Sequence, residues 1–243
     1  MFVLENISKS FGDLQVLKPT NVEFSVGKST VLIGPSGCGK STMLRVLVGL
    51  IQPDTGTVRF EGEAMTSQTL MAMRRRMGYV IQDGGLFPHL TAFENVSLMA
   101  KHLGWDIPAR QSRVTELADL TRLPSAALKR YPAQMSGGQR QRVGIMRALM
   151  LDPPVLLFDE PMGALDPLVR FDLQEDLLKI IRTLNKTSIM VTHDMGEAGF
   201  FGDQVMMLAE GEIVQQGTLD ELIHQPANDY VTRFINAQRI PHV

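Results

Sequence analysis

A glycine-rich segment between two apolar runs constrains the fold of this chain more than any other feature. Residues 32–42 read LIGPSGCGKST, which starts inside the strand-like run STVLI and ends inside the helical run STMLRVLVGL. Gly34, Gly39, Lys40 and Ser41 complete the pattern G-x-x-x-x-G-K-[ST]. Glycines let such a loop turn its N–H groups inward, and the following helix offers its positive end to the same anion. The segment therefore predicts a phosphate-binding loop.

Each polar group of this loop has an expected task. Lys40 is predicted to reach the β- and γ-phosphates as a point charge, and the Ser41 hydroxyl to ligate Mg²⁺. The loop residues that we assign to nucleotide binding are Gly34, Pro35, Ser36, Gly37, Cys38, Gly39, Lys40, Ser41 and Thr42.

Composition and charge narrow the class of protein. The 243 residues are 44% hydrophobic, enough for a substantial core, and the formal charge of −2 gives no sign of a nucleic-acid binder. Cys38 is the single cysteine, so no intrachain disulfide can form, which fits a reducing compartment. We expect no signal peptide, and the apolar runs are far shorter than the ~20 residues of a membrane helix. At a membrane, a partner would have to hold this chain.

The order of apolar runs predicts an α/β fold. The N-terminal third is β-rich, and the runs PVLLFDE and SIMVTHD are nearly continuous apolar strands that flank a helix candidate, which indicates a buried parallel sheet. That helix is expected to begin at Asp166-Pro167, with apolar residues at Phe171, Leu177, Leu178, Ile181 and Leu184. A mostly helical segment is predicted at about 89–152, with a capping box at Thr91, a helix end at Gly104 and a helix over 111–120.

Charged residues follow the two buried strands. Asp159 and Glu160 come just past VLLF, and ligands of open α/β sheets lie beyond the carboxyl ends of strands. Asp159 is placed to hold Mg²⁺, and Glu160 is the candidate base that deprotonates the attacking water. His193 ends the run SIMVTH, and we interpret it as a sensor of the γ-phosphate.

A second glycine-rich helix start occurs at residues 135–142, MSGGQRQR. Ser136 and Gln139 have capping-box spacing, and the helix behind them carries apolar Val143 and Met146. Two consecutive glycines weaken a helix start, so we expect something to approach the backbone closely there. The residues that we assign to this second anion site are Ser136, Gly137, Gly138 and Gln139.

Together these motifs resemble the ATP-binding cassette ATPases over essentially the whole chain. The matching segments, in the family's order, are GPSGCGKST, Gln82 within YVIQDGGLFPHLT, MSGGQ, VLLFDEP, GALD and VTHD. The resemblance implies one cassette domain over 1–243. It would have a P-loop NTPase core with a mostly parallel sheet, an N-terminal antiparallel β subdomain, the helical subdomain at about 89–152 and a helical tail at about 218–243.

The resemblance also implies roles and partners. Two subunits would pack head to tail, with each ATP between one phosphate loop and the partner's signature motif. Ser136 and Gly138 would then act on the nucleotide bound by the partner. Phe11 resembles the aromatic that stacks on adenine, although an ordinary core aromatic is the alternative. Gln82 resembles the residue that links Mg²⁺ and the attacking water to the transporter, and Asp166 matches the loop that communicates across the dimer. The implied metal ligands are Ser41, Gln82 and Asp159.

Three residues depart from the commonest family pattern. Met135 replaces leucine, Gly163 replaces a frequent serine, and Phe11 replaces the commoner tyrosine. None of these changes removes a charged or ligating group, so we expect an active ATPase that uses ATP and Mg²⁺.

We consider three alternative functions for such an ATPase. The first is the energy-coupling subunit of a membrane importer, on the cytoplasmic face of the inner membrane, with permease subunits as direct partners and a substrate-binding protein as an indirect one. The second is a soluble cassette for DNA repair or chromosome organisation, which usually needs coiled coils, and no sustained heptads occur here. The third is a cassette of translation or cofactor assembly, and translation types normally carry two cassettes per chain.

The solute class is inferred from kinship. The segments GALDPLVRFDLQEDL and 193–239 resemble importers of the osmoprotectants glycine betaine, choline and carnitine, with polar amino acids or other small solutes as the alternative. Some relatives carry a C-terminal regulatory module, and because this sequence ends at RIPHV we expect none.

Overall fold

The computed structural model describes residues 1–163 and 165–238. The chain divides into two compact units: the first joins Met1–Arg74 to the chain from Thr187 onward, and the second is Arg75–Lys186. In chain order the elements are β1 (Phe2–Phe11), β2 (Leu14–Phe24), β3 (Ser29–Ile33), α1 (Lys40–Leu47), β4 (Thr55–Phe60), β5 (Glu63–Ala64), α2 (Leu70–Arg74), β6 (Met77–Val80), α3 (Ala92–His102), α4 (Ile107–Leu120), α5 (Gly137–Leu149), β7 (Val155–Asp159), α6 (Pro167–Thr183), β8 (Thr187–Val191), α7 (Met195–Phe201), β9 (Gln204–Ala209), β10 (Glu212–Gly217), α8 (Leu219–His224) and α9 (Asp229–Ala237).

An antiparallel sheet with the strand order β2-β1-β4-β5 forms one layer of the first unit. Phe2 of β1 pairs with Phe24 on one side and with Phe60 on the other, and all three rings are buried. These aromatic cross-strand contacts fix the register of the sheet. The predicted antiparallel N-terminal sheet is confirmed.

Parallel strands form the second layer of the first unit. β3 lies between β8 and β9 and runs parallel to both, while β10 pairs antiparallel with β9. All five residues of β3 and all five of β8 are buried, which explains why neither sequence alternates between apolar and polar residues. Each strand begins with two buried hydroxyl residues and continues as an apolar run, and Ser188 Oγ donates to Ser29 Oγ at 2.8 Å. The predicted α/β class, with helices following parallel strands, is confirmed.

The second unit combines the parallel pair β6–β7 with helices. α3, α4 and α5 lie within the segment predicted as helical, and α3 has the predicted capping box at Thr91 and the predicted glycine, Gly104, just past its end. α4 begins at Ile107, four residues before the predicted start, because Asp106 caps it and Pro108 occupies its first turn. The single-domain boundaries remain a prediction.

Two local features bear on later arguments. Of the predicted apolar positions on α6, Leu177 and Ile181 are buried, whereas Phe171 is 59% exposed. Trp105, in the turn between α3 and α4, is 38% exposed, and its backbone N–H donates to Ala100 O.

The predicted helical tail contains two helices, α8 and α9. Its last residues, 239–243, lie outside the described part of the chain. Within residues 1–163 and 165–238, the helices are either too short or too polar to span a bilayer.

Candidate functional site

The predicted phosphate loop connects β3 to α1 in the first unit, and its shape depends on glycine at two positions. Gly34 has φ 145°, and a Cβ there would lie 2.1 Å from Leu208 O of β9. Gly39 has φ 106°, and a Cβ there would lie 2.7 Å from Val16 O of β2. Any larger residue would therefore collide with neighbouring backbone in addition to being strained. The backbone of β2 and β9 therefore limits which residues the loop can have at positions 34 and 39.

The loop surrounds a fixed positive charge. Lys40, the first residue of α1, is 5% exposed, and its Nζ donates hydrogen bonds to Gly34 O at 2.8 Å and to Pro35 O at 2.9 Å. Cys38 is also buried, while Pro35, Ser36 and Gly37 are exposed. Ser41 and Thr42 lie in the first turn of α1 and are half-buried. The arrangement offers an ammonium group and a helix N-terminus on the same loop, which suits a polyphosphate.

Phe11 ends β1 and is 50% exposed, which contradicts its interpretation as a core aromatic. Lys9 Nζ lies 5.4 Å from the centre of the ring, within the range of a cation–π contact. An exposed aromatic face is available for stacking, and the adenine assignment stays a prediction.

His193 lies in the turn between β8 and α7, and its side chain is exposed. Its neighbours are held firmly. Thr192 Oγ1 hydrogen-bonds to buried Glu197 and accepts from the Asp194 N–H at 3.1 Å, and Asp194 caps α7 by accepting from the Glu197 N–H. The backbone that carries His193 is thus fixed while its imidazole is open to solvent.

The carboxylates lie in the second unit. Asp159 is the last residue of β7, is 6% exposed, and accepts a hydrogen bond from the Tyr79 hydroxyl at 3.3 Å. Glu160 follows with φ 46°, a left-handed conformation that costs a non-glycine residue roughly 1–3 kcal/mol. Such strain persists only where the surrounding structure stabilises it. Glu61 and Glu210, which directly follow β4 and β9, have the same conformation, so the backbone by itself does not mark a catalytic residue.

Gln82 and Glu160 approach the same point. Gln82 opens a 3₁₀ turn, Gln82–Gly85, and is exposed. A Cβ on Gly163 would lie 3.6 Å from Glu160 Oε2 and 3.8 Å from Gln82 Nε2, both ordinary contact distances. The structure therefore brings two of the three residues predicted to be catalytic within contact distance of a Cβ at the glycine that replaces the family's serine. Ala164, in the same GALD segment, lies outside the described residues.

The second predicted anion site is a fully formed helix cap. Ser136 Oγ accepts from the Gln139 N–H at 3.3 Å, and Gln139 Oε1 accepts from the Ser136 N–H at 3.2 Å. Ser136 is exposed, but Gly138 is buried, and a Cβ on it would lie 2.5 Å from Val169 Cγ1 of α6. Packing within the chain thus already requires this glycine. The sequence argument, which attributed both glycines to an approaching anion, missed that contact.

A clamp between α5 and the Gln82 turn was also missed. Arg147 donates to Gly84 O and to Gly85 O, each at 2.8 Å, and burial lowers the pKa of its guanidinium. A Cβ on Gly144 would lie 3.1 Å from Gly84 Cα. The helix that starts at the predicted signature motif therefore holds the turn that starts at Gln82. No motif signals this contact, since it depends on how two distant segments meet.

The predicted Mg²⁺ ligands have suitable chemistry. A hydroxyl, an amide oxygen and a carboxylate are the hard oxygen donors that Mg²⁺ prefers, and Mg²⁺ usually takes one or two carboxylates with substrate phosphates and water. Asp159 meets this need with a carboxylate held at a strand end. Ser41 belongs to the first unit, and Gln82 and Asp159 to the second. In the described ranges, no group of three or more His, Cys, Asp and Glu residues could hold a metal by itself.

The known proteins that this chain resembles include ATP-binding proteins of transport systems. The chain is 45% identical over 99% of its length to the glycine betaine/carnitine/choline transport ATP-binding protein OpuCA of Bacillus subtilis, and spans 63% of that protein. It is 43% identical over 96% of its length to a probable sulfate/thiosulfate import ATP-binding protein, CysA, of Chlorella vulgaris, of which it covers 98%.

Among solved structures, the chain matches the dimeric post-hydrolysis state of the ATP-binding cassette MJ0796 bound to ADP and Pi. The TM-score is 0.82 at 35% identity, over 90% of this chain and 99% of that one. The family model described as "ABC transporter" matches residues 17–163. The resemblance inferred from the motifs is thereby confirmed, and the chain belongs to the ABC transporter family.

Proposed function

We propose that this chain is the ATP-binding and ATP-hydrolysing subunit that energises a membrane importer of quaternary-amine osmoprotectants. The observation that carries the proposal is the phosphate loop, in which glycines at Gly34 and Gly39 are required sterically and Lys40 is held inside the curve of the loop. The names of relatives, above all the Bacillus subtilis glycine betaine/carnitine/choline protein, supply the solute class.

In the proposed reaction, the chain's own groups bind, orient and deprotonate. Lys40 and the loop N–H groups hold the β- and γ-phosphates, and Phe11 stacks on adenine. Glu160 takes the proton of the attacking water, with Gln82 and His193 positioning the water and the γ-phosphate. Ser41, Gln82 and Asp159 would hold Mg²⁺, which neutralises phosphate charge.

The proposed assembly contains two copies of the chain, packed head to tail, and permease subunits in the membrane. Ser136 and the N-terminus of α5 act on the nucleotide bound by the partner copy. ATP binds the closed pair more strongly than the open pair, so binding closes the pair and hydrolysis reopens it. We place the chain on the cytoplasmic face of the inner membrane, with a substrate-binding protein as an indirect partner.

Sulfate or thiosulfate is a second candidate solute, and the test includes it. The Chlorella vulgaris relative, named for sulfate/thiosulfate import, is nearly as similar and is covered over 98% of its length. A cassette does not contact the transported solute, so its residues alone do not separate these classes.

Measuring solute uptake by the native cells distinguishes the quaternary amines from sulfate as the transported solute. Labelled glycine betaine, choline, carnitine and sulfate are each supplied at high osmolarity to cells with the wild-type chain or with Glu160→Gln. We expect cells with Glu160→Gln to lose uptake of the three quaternary amines and to keep unchanged uptake of sulfate. Loss of sulfate uptake alone would transfer the assignment to the second class, and unchanged uptake of every solute, with the variant shown to be expressed, would contradict the importer.

A further inference from the structure

One buried polar group in the second unit has no role in the proposed reaction. Gln141, in the second turn of α5, is 3% exposed, and its Nε2 has no hydrogen-bond partner among the described residues. Its Oε1 faces the Gln82 turn, since a Cβ on Gly84 would lie 3.7 Å from it. A buried amide with two unused donors is costly, and native proteins usually satisfy such a group with protein or with ordered water.

A small cavity lies next to this amide. It has a volume of about 20 Å³, and Gln141, Glu160 and Gly163 are among the residues that line it. A site for one water needs roughly 10–15 Å³ of such space and two to four polar partners. The cavity is therefore large enough for a single water, and too small for a nucleotide or any other organic ligand.

Two charged residues, Arg140 and Glu160, line the same cavity, and Glu160 is the one with a role in the proposed reaction. A Cβ on Gly163 would lie 3.6 Å from Glu160 Oε2, so the carboxylate stands beside the space that the missing side chain leaves open. Nε2 of Gln141 makes no direct hydrogen bond, and the cavity that Gln141 and Glu160 both line offers space for a group that links the amide to the carboxylate. Glu160 also has the strained φ of 46°, which its surroundings must stabilise.

We propose that this cavity binds one water molecule, which accepts a hydrogen bond from Gln141 Nε2 and donates one to the Glu160 carboxylate. Gln141 is then a positioning residue: it acts on the reaction only through Glu160. The water links the signature helix α5 to the carboxylate within one chain. The positioning role rests on the proposed function of Glu160, whereas the water site does not.

The water site is tested by a crystal structure of the full chain without nucleotide, at a resolution that shows ordered water. We expect a density peak within hydrogen-bond distance of both Gln141 Nε2 and a Glu160 carboxylate oxygen. A well-resolved cavity without a peak, or a Gln141 amide that donates to a protein carbonyl instead, would overturn the site.

The positioning role is tested with Gln141→Met, which keeps the length of the side chain and removes the amide. If the water orients Glu160, kcat for ATP falls roughly 10- to 100-fold, as for a misplaced catalytic group, while KM for ATP stays constant. If the cavity is dry, the same change removes an unsatisfied group, so the melting temperature rises and kcat is unchanged, which overturns the proposal. Gln174→Met, on half-buried α6 surface away from the cavity, is the matched control.

Failure of this inference and failure of the proposed function give different results. Wild-type turnover in Glu160→Gln would remove the role of Glu160 in hydrolysis, and the crystallographic peak would still decide the water site. Loss of turnover in Glu160→Gln, together with an unaffected Gln141→Met, would keep the proposed function and reject the positioning role.

Discussion

At the scale of single residues, Glu160 combines features that seldom occur together. It follows the fully buried strand β7, has a left-handed backbone and lies within contact distance of the same glycine as Gln82. The left-handed backbone alone does not set Glu160 apart, because Glu61 and Glu210 have φ 51° and 47° directly after β4 and β9. The combination argues that its position, and not its charge alone, matters to the chemistry.

Glu160→Gln keeps the size of the side chain and removes the base. We expect ATP turnover to fall roughly 10²- to 10⁴-fold, the usual contribution of a general base, with ATP affinity retained. Steady-state phosphate release and nucleotide titration measure the two quantities. Glu175→Gln, on the exposed part of α6, is the control, and turnover of Glu160→Gln near the wild-type rate would contradict the assignment.

Asp54 provides a prediction on pH at the same scale. Hydrogen bonds from the Lys9 ammonium and from the Ser10 N–H hold the pKa of the Asp54 carboxyl below its ordinary value of 3.8. Because the folded pKa is lowered, the interaction stabilises the protein fully above the unfolded pKa and is lost as the pH falls through the folded pKa.

The free energy of unfolding of the wild type should therefore exceed that of Asp54→Asn by a constant amount near neutral pH. The difference should shrink below about pH 4. Urea unfolding over a pH series measures it, at low and high salt, since this pair is exposed and screened by ions. A difference that did not change with pH would mean that the carboxylate charge is not involved.

At the scale of elements, two helices share one cap geometry with different expected tasks. Thr91 caps α3 and Ser136 caps α5, each within a capping box. Replacing either residue by alanine should lower the free energy of unfolding by about 1 kcal/mol. Only Ser136→Ala should also lower ATP turnover, because only that cap is proposed to contact a nucleotide. Urea unfolding and turnover of both variants test this, and equal turnover would make Ser136 a cap and nothing more.

The phosphate loop could be predicted from sequence because strand, loop and helix all lie within residues 29–47 and interact locally. The capping boxes at Thr91 and Ser136 were predictable for the same reason. The contacts of Gly138 with Val169 and of Gln141 and Arg147 with the Gln82 turn were not, since each joins residues at least 31 positions apart in the chain. The motif fixes which atoms a local turn exposes, whereas tertiary packing decides which of them meet.

The early start of α4 belongs to the same comparison. Asp106 followed by Pro108 is a recognised helix start, but the apolar periodicity used for the prediction begins only at residue 111. Capping signals therefore located this helix end better than hydrophobic pattern did.

At the scale of the whole molecule, the proposal requires a second copy of the chain. Glu160→Gln should bind MgATP without turning it over, and so accumulate the closed pair. Light scattering is expected to show twice the mass of one chain with ATP and not with ADP. Adding Ser136→Glu, which brings a carboxylate toward the partner's phosphates, should prevent the pairing. A Glu160→Gln protein that stayed monomeric with saturating ATP would contradict the head-to-tail assembly.

Trp105 has a practical consequence at this scale. It is the chain's single tryptophan and lies partly exposed in the turn between α3 and α4. Selectively excited fluorescence of the native protein therefore comes from one known place in the second unit. A partner that covered this turn would shift the emission without any attached dye. Binding at the helical subdomain can thus be followed optically in the unlabelled chain.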